Sequence, residues 1–349
     1  MKTITYLLLN VLLLAGCIDD KQKDPEPPAA PKADWTWITM DSPTTAHIRG
    51  LSVVNDSLLW ISGTGGAVFR TSNGGESWDN LTLPKCEDLD FRDIHAFDED
   101  NAVVMSAGYG VSIFSTNDGG ISWLECFRDT NAYSFYDGID FWNKEEGLAY
   151  GDPNEGRMGL LRTNNGWKWK DERSAMPEAL EGEAGFAASG TGIVLRENLA
   201  WIATGGGSTA RVLCSEDSGK TWVAHDTPLR SGEGMGIFSI AFADHLNGVA
   251  VGGSYIDSTA TEGNSAYTRD GGKSWIVPDT VPAGYRSCAA FDASGQYVVA
   301  VGRTGADWSD DMGQTWHHFS DEGYWVCQFG ETTLWASGRR GKLGKVEIQ

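Results

Sequence analysis

The sequence predicts an all-β fold: a seven-bladed β-propeller of four-stranded antiparallel blades, closed by pairing of its N- and C-terminal strands. Three observations predict it. A short turn sequence ending in tryptophan recurs six times along the 349 residues. A similar series of short apolar strands precedes the copies. A last, incomplete series ends the chain, and its missing strand is available at the other end. Glycine (44) and tryptophan (15) are both abundant, as many tight turns between short aromatic-bearing strands require.

The first 34 residues stand apart from this pattern. Lys2 precedes an apolar run from Tyr6 to Leu14 that is broken only by Asn10. The run is too short to span a bilayer and has the layout of an export signal. It ends in Leu14-Ala15-Gly16-Cys17, small residues before a cysteine, which suits a lipoprotein signal peptidase. Residues 1–16 are therefore expected to be a lipoprotein signal peptide, with Cys17 the lipidated first residue of the mature chain. Acyl chains on Cys17 would anchor it to a membrane. Ile18 rather than an aspartate follows Cys17, which points to the outer membrane, facing the periplasm or the cell surface. Residues 17–34 are rich in Pro, Ala and charge and lack apolar periodicity, so they read as a flexible tether. The propeller is expected over 35–349.

The turn copies are Thr71-SNGGES-Trp78, Thr116-NDGGIS-Trp123, Thr163-NNGWK-Trp169, Ser215-EDSGKT-Trp222, Thr268-RDGGKS-Trp275 and Ser309-DDMGQT-Trp316. The third is one residue short. Asx and Ser/Thr side chains bond nearby backbone groups and close a tight loop. The glycine supplies a backbone angle that other residues resist. The tryptophan then enters the next strand and packs between blades. These features are those of the Asp box, a folding motif. The loop lacks the carboxylate density of a calcium site. The copies are spaced at or slightly above the length of known blade repeats, and repeats of that length build one closed unit.

Before the first turn lie Leu51-SVVN, Ser57-LLWISG and Ala67-VFRT; before the second, Ile94-HAF, Ala102-VVMSAG and Val111-SIFS; before the fifth, Ile237-FSIAF, Gly248-VAVGG and Ser265-AYT. Three strands precede each turn and one follows, which makes a four-stranded blade whose alternating side chains bury both faces. The final series, Trp325-VCQF, Thr333-LWASG and Leu343-GKVEI, lacks a fourth strand, and Trp35-TWITM can supply it. That pairing removes two exposed sheet edges.

The formal net charge is −21, which disfavours nucleic acid and anionic lipid surfaces as partners. With Cys17 spent on lipid, Cys86, Cys126, Cys214, Cys288 and Cys327 remain, without metal-knuckle spacing. Cys86 and Cys126 follow turns in neighbouring repeats. They could form a disulfide in an oxidising compartment, or serve as small buried residues.

In a propeller the starts of the innermost strands and the second turn of each blade share one face. Aligned on a closing aromatic or aliphatic residue, the innermost strands are Arg49-GLSVV, Arg92-DIHAF, Tyr136-DGIDF, Ile237-FSIAF, Arg286-SCAAF and Tyr324-WVCQF, with the fourth near Glu183-AGFAA. This register brings Arg49, Arg92 and Arg286 to one channel mouth, with Tyr136 and Tyr324. The second turns add Asp152, Arg211, Tyr255, Arg303 and Arg339. Guanidinium groups suit carboxylate or phosphate, so one reading is an anion-accepting mouth. The other is that each arginine pairs with a neighbour such as Asp93, Asp137 or Glu183 and ties blades together.

The turns, their period and the strand phrases resemble the photosystem II stability/assembly factor-like family of Asp-box (BNR-type) propellers, over roughly residues 35–349. Phe135-YDGIDFW, Gly182-EAGFAASGTG, Gly236-IFSIAF and Gly284-YRS resemble its bacterial lipoprotein branch. The resemblance implies a non-catalytic, lipid-anchored binding or assembly scaffold with an arginine patch, to which Arg49, Arg92 and Arg286 could correspond. The expected partner is an envelope protein or a small anionic ligand, bound by a monomer. No catalytic set, metal site or cofactor is expected: no strand-GxGxxG-helix unit is present to hold a dinucleotide. Nor does a nucleophile motif flank any of the six histidines. The alternative is a sialidase-like glycoside hydrolase at the same mouth, which needs two opposed carboxyls. Asp137, Asp152, Glu183 and Asp307 are the candidates, and the Arg-Ile-Pro phrase of sialidases is absent.

Overall fold

A computed structural model describes residues 35–348 except Tyr109 and Ala132. The expected signal peptide, Cys17 and the tether lie outside the described residues. The chain forms seven antiparallel blades. Their innermost strands touch in order round the ring, and the seventh returns to the first. From blade 1 to blade 7 these strands are Ile48–Val53, Asp90–Ala96, Tyr136–Phe141, Ile193–Arg196, Met235–Phe242, Cys288–Phe291 and Val326–Phe329.

Blade 7 combines both ends of the propeller. Its outer strand, Ile38–Met40, pairs with Leu343–Glu347 in the register Ile38–Lys345, Thr39–Gly344 and Met40–Leu343. Trp37 is buried with its ring 4.5 Å from Tyr324, and Trp35 lies 5.7 Å from both Trp308 and Phe319. The closing strand thus fills the layer between blades 6 and 7. Blade 5 departs from the four-strand expectation. After Ser265–Thr268 its fourth strand is reduced to one bridge between Tyr267 and Ile276. Pro278 follows two residues later and has no N–H to extend the pairing.

The recurrent turns close on their own side chains. Thr71 Oγ1 accepts from the Gly75 amide at 3.0 Å, and Asn73 Oδ1 accepts from the Ser77 amide at 3.0 Å. The Ser215 turn repeats this with Gly219 at 2.8 Å, and Asp217 with Thr221 at 2.9 Å. Asp217 also accepts from the Thr221 hydroxyl. The shortened third copy closes instead through Asn165, which accepts from the Trp167 and Lys168 amides. The tryptophans that follow seal the inter-blade layers. Trp222 packs with Leu148, Leu160, Ile202 and Leu213 between blades 3 and 4. Trp169 and Trp316 do the same between blades 2 and 3 and blades 5 and 6.

Among the described residues Cys86, Cys126, Cys214, Cys288 and Cys327 are unbonded, and the possible Cys86–Cys126 disulfide is not formed. Cys86 packs between blades 1 and 2, and Cys126 between blades 2 and 3.

Trp37→Ala should destabilise the protein by about 3–5 kcal/mol in chemical denaturation, the usual cost of truncating a buried Trp. Ile38→Ala, at the exposed first residue of the strand that follows, should stay within about 0.5 kcal/mol.

Candidate functional site

The site is set by one structural detail repeated round the ring. In blades 1, 2, 3 and 5 the innermost strand begins with a β-bulge. Pairing skips from Ile48–Gly63 to Gly50–Ser62, and Arg49 is the extra residue. Arg92, Asp137 and Phe238 are the extra residues of the other three bulges. A bulge re-aims its side chain out of the sheet, here toward the axis. In blades 6 and 7, Ser287 and Trp325 occupy the equivalent place, each donating its amide at 2.8 Å to the next strand of its own blade.

The residue before each of these positions turns the other way. Ile48, Phe91, Tyr136, Ile237, Arg286 and Tyr324 are all almost fully buried between blades. The Ile48, Arg286 and Tyr324 amides donate at 3.0–3.1 Å to Gly338, Gly252 and Gly302 of the preceding blade. At Gly252 and Gly302 the chain passes so close that only glycine fits. A Cβ on Gly252 or Gly302 would stand 2.0 or 2.2 Å from a carbonyl oxygen.

The inward residues line a cavity of about 680 Å³ at the axial mouth, within the range of ligand pockets. Its wall from blades 7, 1 and 2 carries Arg339, Arg49 and Arg92. Arg49 lies 4.1 Å from the centre of the Trp325 ring and donates to the Ala188 carbonyl at 3.3 Å. Burial, and then the neighbouring Arg92, pull its pKa down. Arg92 pairs with Asp90 at 2.7 Å. Among the described residues, Arg49, Arg303 and Arg339 have no carboxylate within ion-pair distance. The opposite wall is aromatic. Phe186 stacks on Phe238 at 3.9 Å, and Phe238 meets Tyr285 edge-on at 4.7 Å, with Tyr255 beside them.

Blade 3 contributes two carboxyls. Asp152 accepts from the Gly185 amide at 2.9 Å, and burial pushes its pKa up to about 6. Asp137 is 1% exposed and neither oxygen has a hydrogen-bond partner of full geometry. Burial, with Asp152 second, raises its pKa well above the usual range. Both carboxyls lie on one wall, because Tyr136 pairs with Gly151 and each aspartate follows one member of that pair.

The fourth blade breaks the pattern. Its innermost strand is Ile193–Arg196, not the expected segment at Glu183. The residues before it run across the axis as a floor. Ser189 donates to the Ser287 carbonyl in blade 6 at 2.7 Å. The Thr191 and Ser239 hydroxyls meet at 2.7 Å, the latter in blade 5. Gly190 lies so near Asp93 of blade 2 that a Cβ would stand 2.3 Å from its carboxylate, and its φ of +74° also favours glycine. Gly185 caps Asp137 in the same way.

Seven residues expected at the mouth are there: Arg49, Arg92, Asp137, Asp152, Tyr255, Arg303 and Arg339. Five are not. Tyr136, Arg286 and Tyr324 sit one place too early, in the inter-blade layers. Aligning strands on the closing residue shifts the register by one in blades 3, 5, 6 and 7, where the closing phenylalanine is the last paired residue of the strand, whereas in blades 1 and 2 the closing Val54 and Phe97 lie one place beyond the last pair. Arg286 is 0% exposed and bound to Asp307 at 2.5 Å, and Asp307 also meets His318 at 3.2 Å. Glu183 and Arg211 consume each other behind the pocket. Arg211 Nε donates to Glu183 at 2.9 Å, and Thr204 Oγ1 donates to the same carboxylate at 2.7 Å. The residues missed are Phe135, Phe186, Phe238, Tyr285, Ser287 and Trp325. The strand-end glycines Gly63, Gly151, Gly252, Gly302 and Gly338 mark the correct register and would have found Phe238, Ser287 and Trp325. Among the described residues no cluster of three His, Cys, Asp or Glu side chains is placed to hold a metal.

No family model matches the sequence, and no curated protein matches it. Solved structures share the fold. YCF48 bound to D1 peptide is 17% identical, with a TM-score of 0.64 over 92% of this chain and 99% of that one. YCF48 from Cyanidioschyzon merolae is 20% identical, with a TM-score of 0.59 over 89% and 98%. The RRP9 WD40 repeats are 10% identical, with a TM-score of 0.60 over 90% and 97%. At such identities the likeness is one of fold.

Two outcomes follow from these placements. Arg286→Ala strands Asp307 as a buried charge and should cost about 3–5 kcal/mol in denaturant unfolding. The raised carboxyl of Asp152 contributes stability below the ordinary carboxylate pKa, and that contribution is lost as pH rises through about 6. Asp152→Asn should therefore gain melting temperature relative to wild type between pH 5 and pH 7.5.

Proposed function

We propose that this propeller is a non-catalytic binding and assembly module, which accepts an anionic group at its axial mouth. The group is carried by an envelope protein or a small ligand. The observation that carries this reading is a guanidinium wall in which only Arg92 has a carboxylate partner, Asp90. Among the described residues, Arg49 and Arg339 face the cavity with no carboxylate of their own, while the chain as a whole carries a net charge of −21. Guanidinium groups in a concave, aromatic-lined site are strong anion acceptors. Trp325, Phe238 and Tyr285 add apolar area for a flanking side chain. The structural likeness to a propeller named as bound to a D1 peptide supports a protein segment as ligand. We assign the chain to the photosystem II assembly factor-like propellers with Asp-box turns, and infer export with a lipid anchor on Cys17 at the outer membrane. The turn chemistry and the Leu14–Cys17 sequence support these assignments.

The glycosidase alternative draws no support from the carboxyl positions. Asp137 and Asp152 stand side by side on one blade, and Glu183 and Asp307 are held in buried ion pairs. Two opposed carboxyls are the requirement.

The test is affinity capture from an envelope extract, with a glycoside-release screen alongside. Wild type should retain a partner that the Arg49→Glu/Arg92→Glu variant loses by more than about tenfold, the scale for removing an interfacial charge. Reversal of Arg128, an exposed strand residue of blade 2, should leave capture unchanged. Equal capture by wild type and the double variant, or release of sugar by the wild type, would overturn the reading.

A further inference from the structure

Two thiols face each other between blades 6 and 7. Cys288 and Cys327 lie on neighbouring innermost strands, where blades approach most closely. Their sulfurs are 3.9 Å apart, and the side chains are 0% and 1% exposed. The Cys327 amide donates to Cys288 Sγ at 3.3 Å, so the second backbone already lies against the first sulfur. The other cysteines differ. Cys126 Sγ contacts Ser115 and the Leu124 carbonyl, and Cys214 Sγ contacts the Val212 and Gly272 carbonyls. Among the described residues, only Cys288 and Cys327 meet sulfur to sulfur.

We propose that Cys288 and Cys327 form a disulfide joining blades 6 and 7 when the chain folds with a disulfide donor present. The sulfurs must close from 3.9 Å to about 2.05 Å, a movement within reach of side-chain rotation and a small strand shift. One thiolate attacks the donor, such as oxidised glutathione, and displaces one reduced thiol. The second thiolate then attacks this mixed disulfide and displaces the other. Two protein thiols lose two electrons and two protons, and one donor disulfide becomes two thiols. Burial sets the timing. Neither sulfur is open to a donor once the layer between the blades has shut, so the bond forms during folding and then resists reductants. It closes a 39-residue loop, whose constraint falls on the unfolded chain.

The sequence makes the test direct. Trypsin cuts after Arg286, Arg303 and Arg339, which places the two cysteines in separate peptides, 287–303 and 304–339. The whole chain is refolded from denaturant in a mixture of reduced and oxidised glutathione, alkylated under denaturing conditions without reductant, and digested. Peptides 287–303 and 304–339 should emerge covalently linked and separate on reduction. The oxidised protein should melt several degrees above the reduced one. Cys327→Ala should abolish that difference, and Cys126→Ala should preserve it. Recovery of both peptides alkylated and unlinked, or linkage of either to Cys86, Cys126 or Cys214, would overturn the proposal.

Discussion

Ring closure is the constraint on which the rest depends. Each blade has two apolar faces and can bury both only between two neighbours. A linear array would leave one face of the first and last blades in water. The three-residue pairing of Ile38–Met40 with Leu343–Lys345 completes blade 7, and with it the inter-blade layers on both sides. Its backbone bonds are few, so the buried rings of Trp35 and Trp37 carry much of the attachment. Hydrophobic burial supplies the energy, and the backbone pairing supplies the register.

Closure also creates the pocket. Seven strand starts converge on an axis too narrow for seven large side chains, and in blades 1, 2, 3 and 5 a bulge decides which residue points there. The outcome is uneven: guanidinium groups from blades 6, 7, 1 and 2, aromatic rings mainly from blades 4 to 6 with Phe135 and Trp325 beside them, and two carboxyls from blade 3. The segment before Ile193–Arg196 crosses the axis and floors the cavity, which turns a channel into a cup. Gly185 and Gly190 let it press onto Asp137 and Asp93. Burial raises both carboxyls, Asp93 to about 7 and Asp137 well above its usual value.

Much of this was legible in the sequence. The turns, their tryptophans, the blade count and the closing strand all rest on local patterns. The second-turn residues Asp152, Tyr255, Arg303 and Arg339 were readable for the same reason, since a turn between two strands has little freedom of position. The inward positions of the innermost strands were less so. Reading back from the closing aromatic worked for Arg49 and Arg92 and failed by one residue for Tyr136, Arg286 and Tyr324. A one-residue slip reverses the direction of every side chain, so the error exchanged pocket residues for core residues.

The sequence by itself determined the repeat, the ring and the chemistry available at the mouth, because these follow from short-range turn geometry and strand alternation. Only the tertiary structure decided which arginines are free. Arg286 and Arg211 look no different from Arg49 along the chain, yet each finds a buried carboxylate, Asp307 or Glu183, on a separate strand or loop. Such pairing depends on distances between segments distant in sequence, and strand patterns do not carry that information.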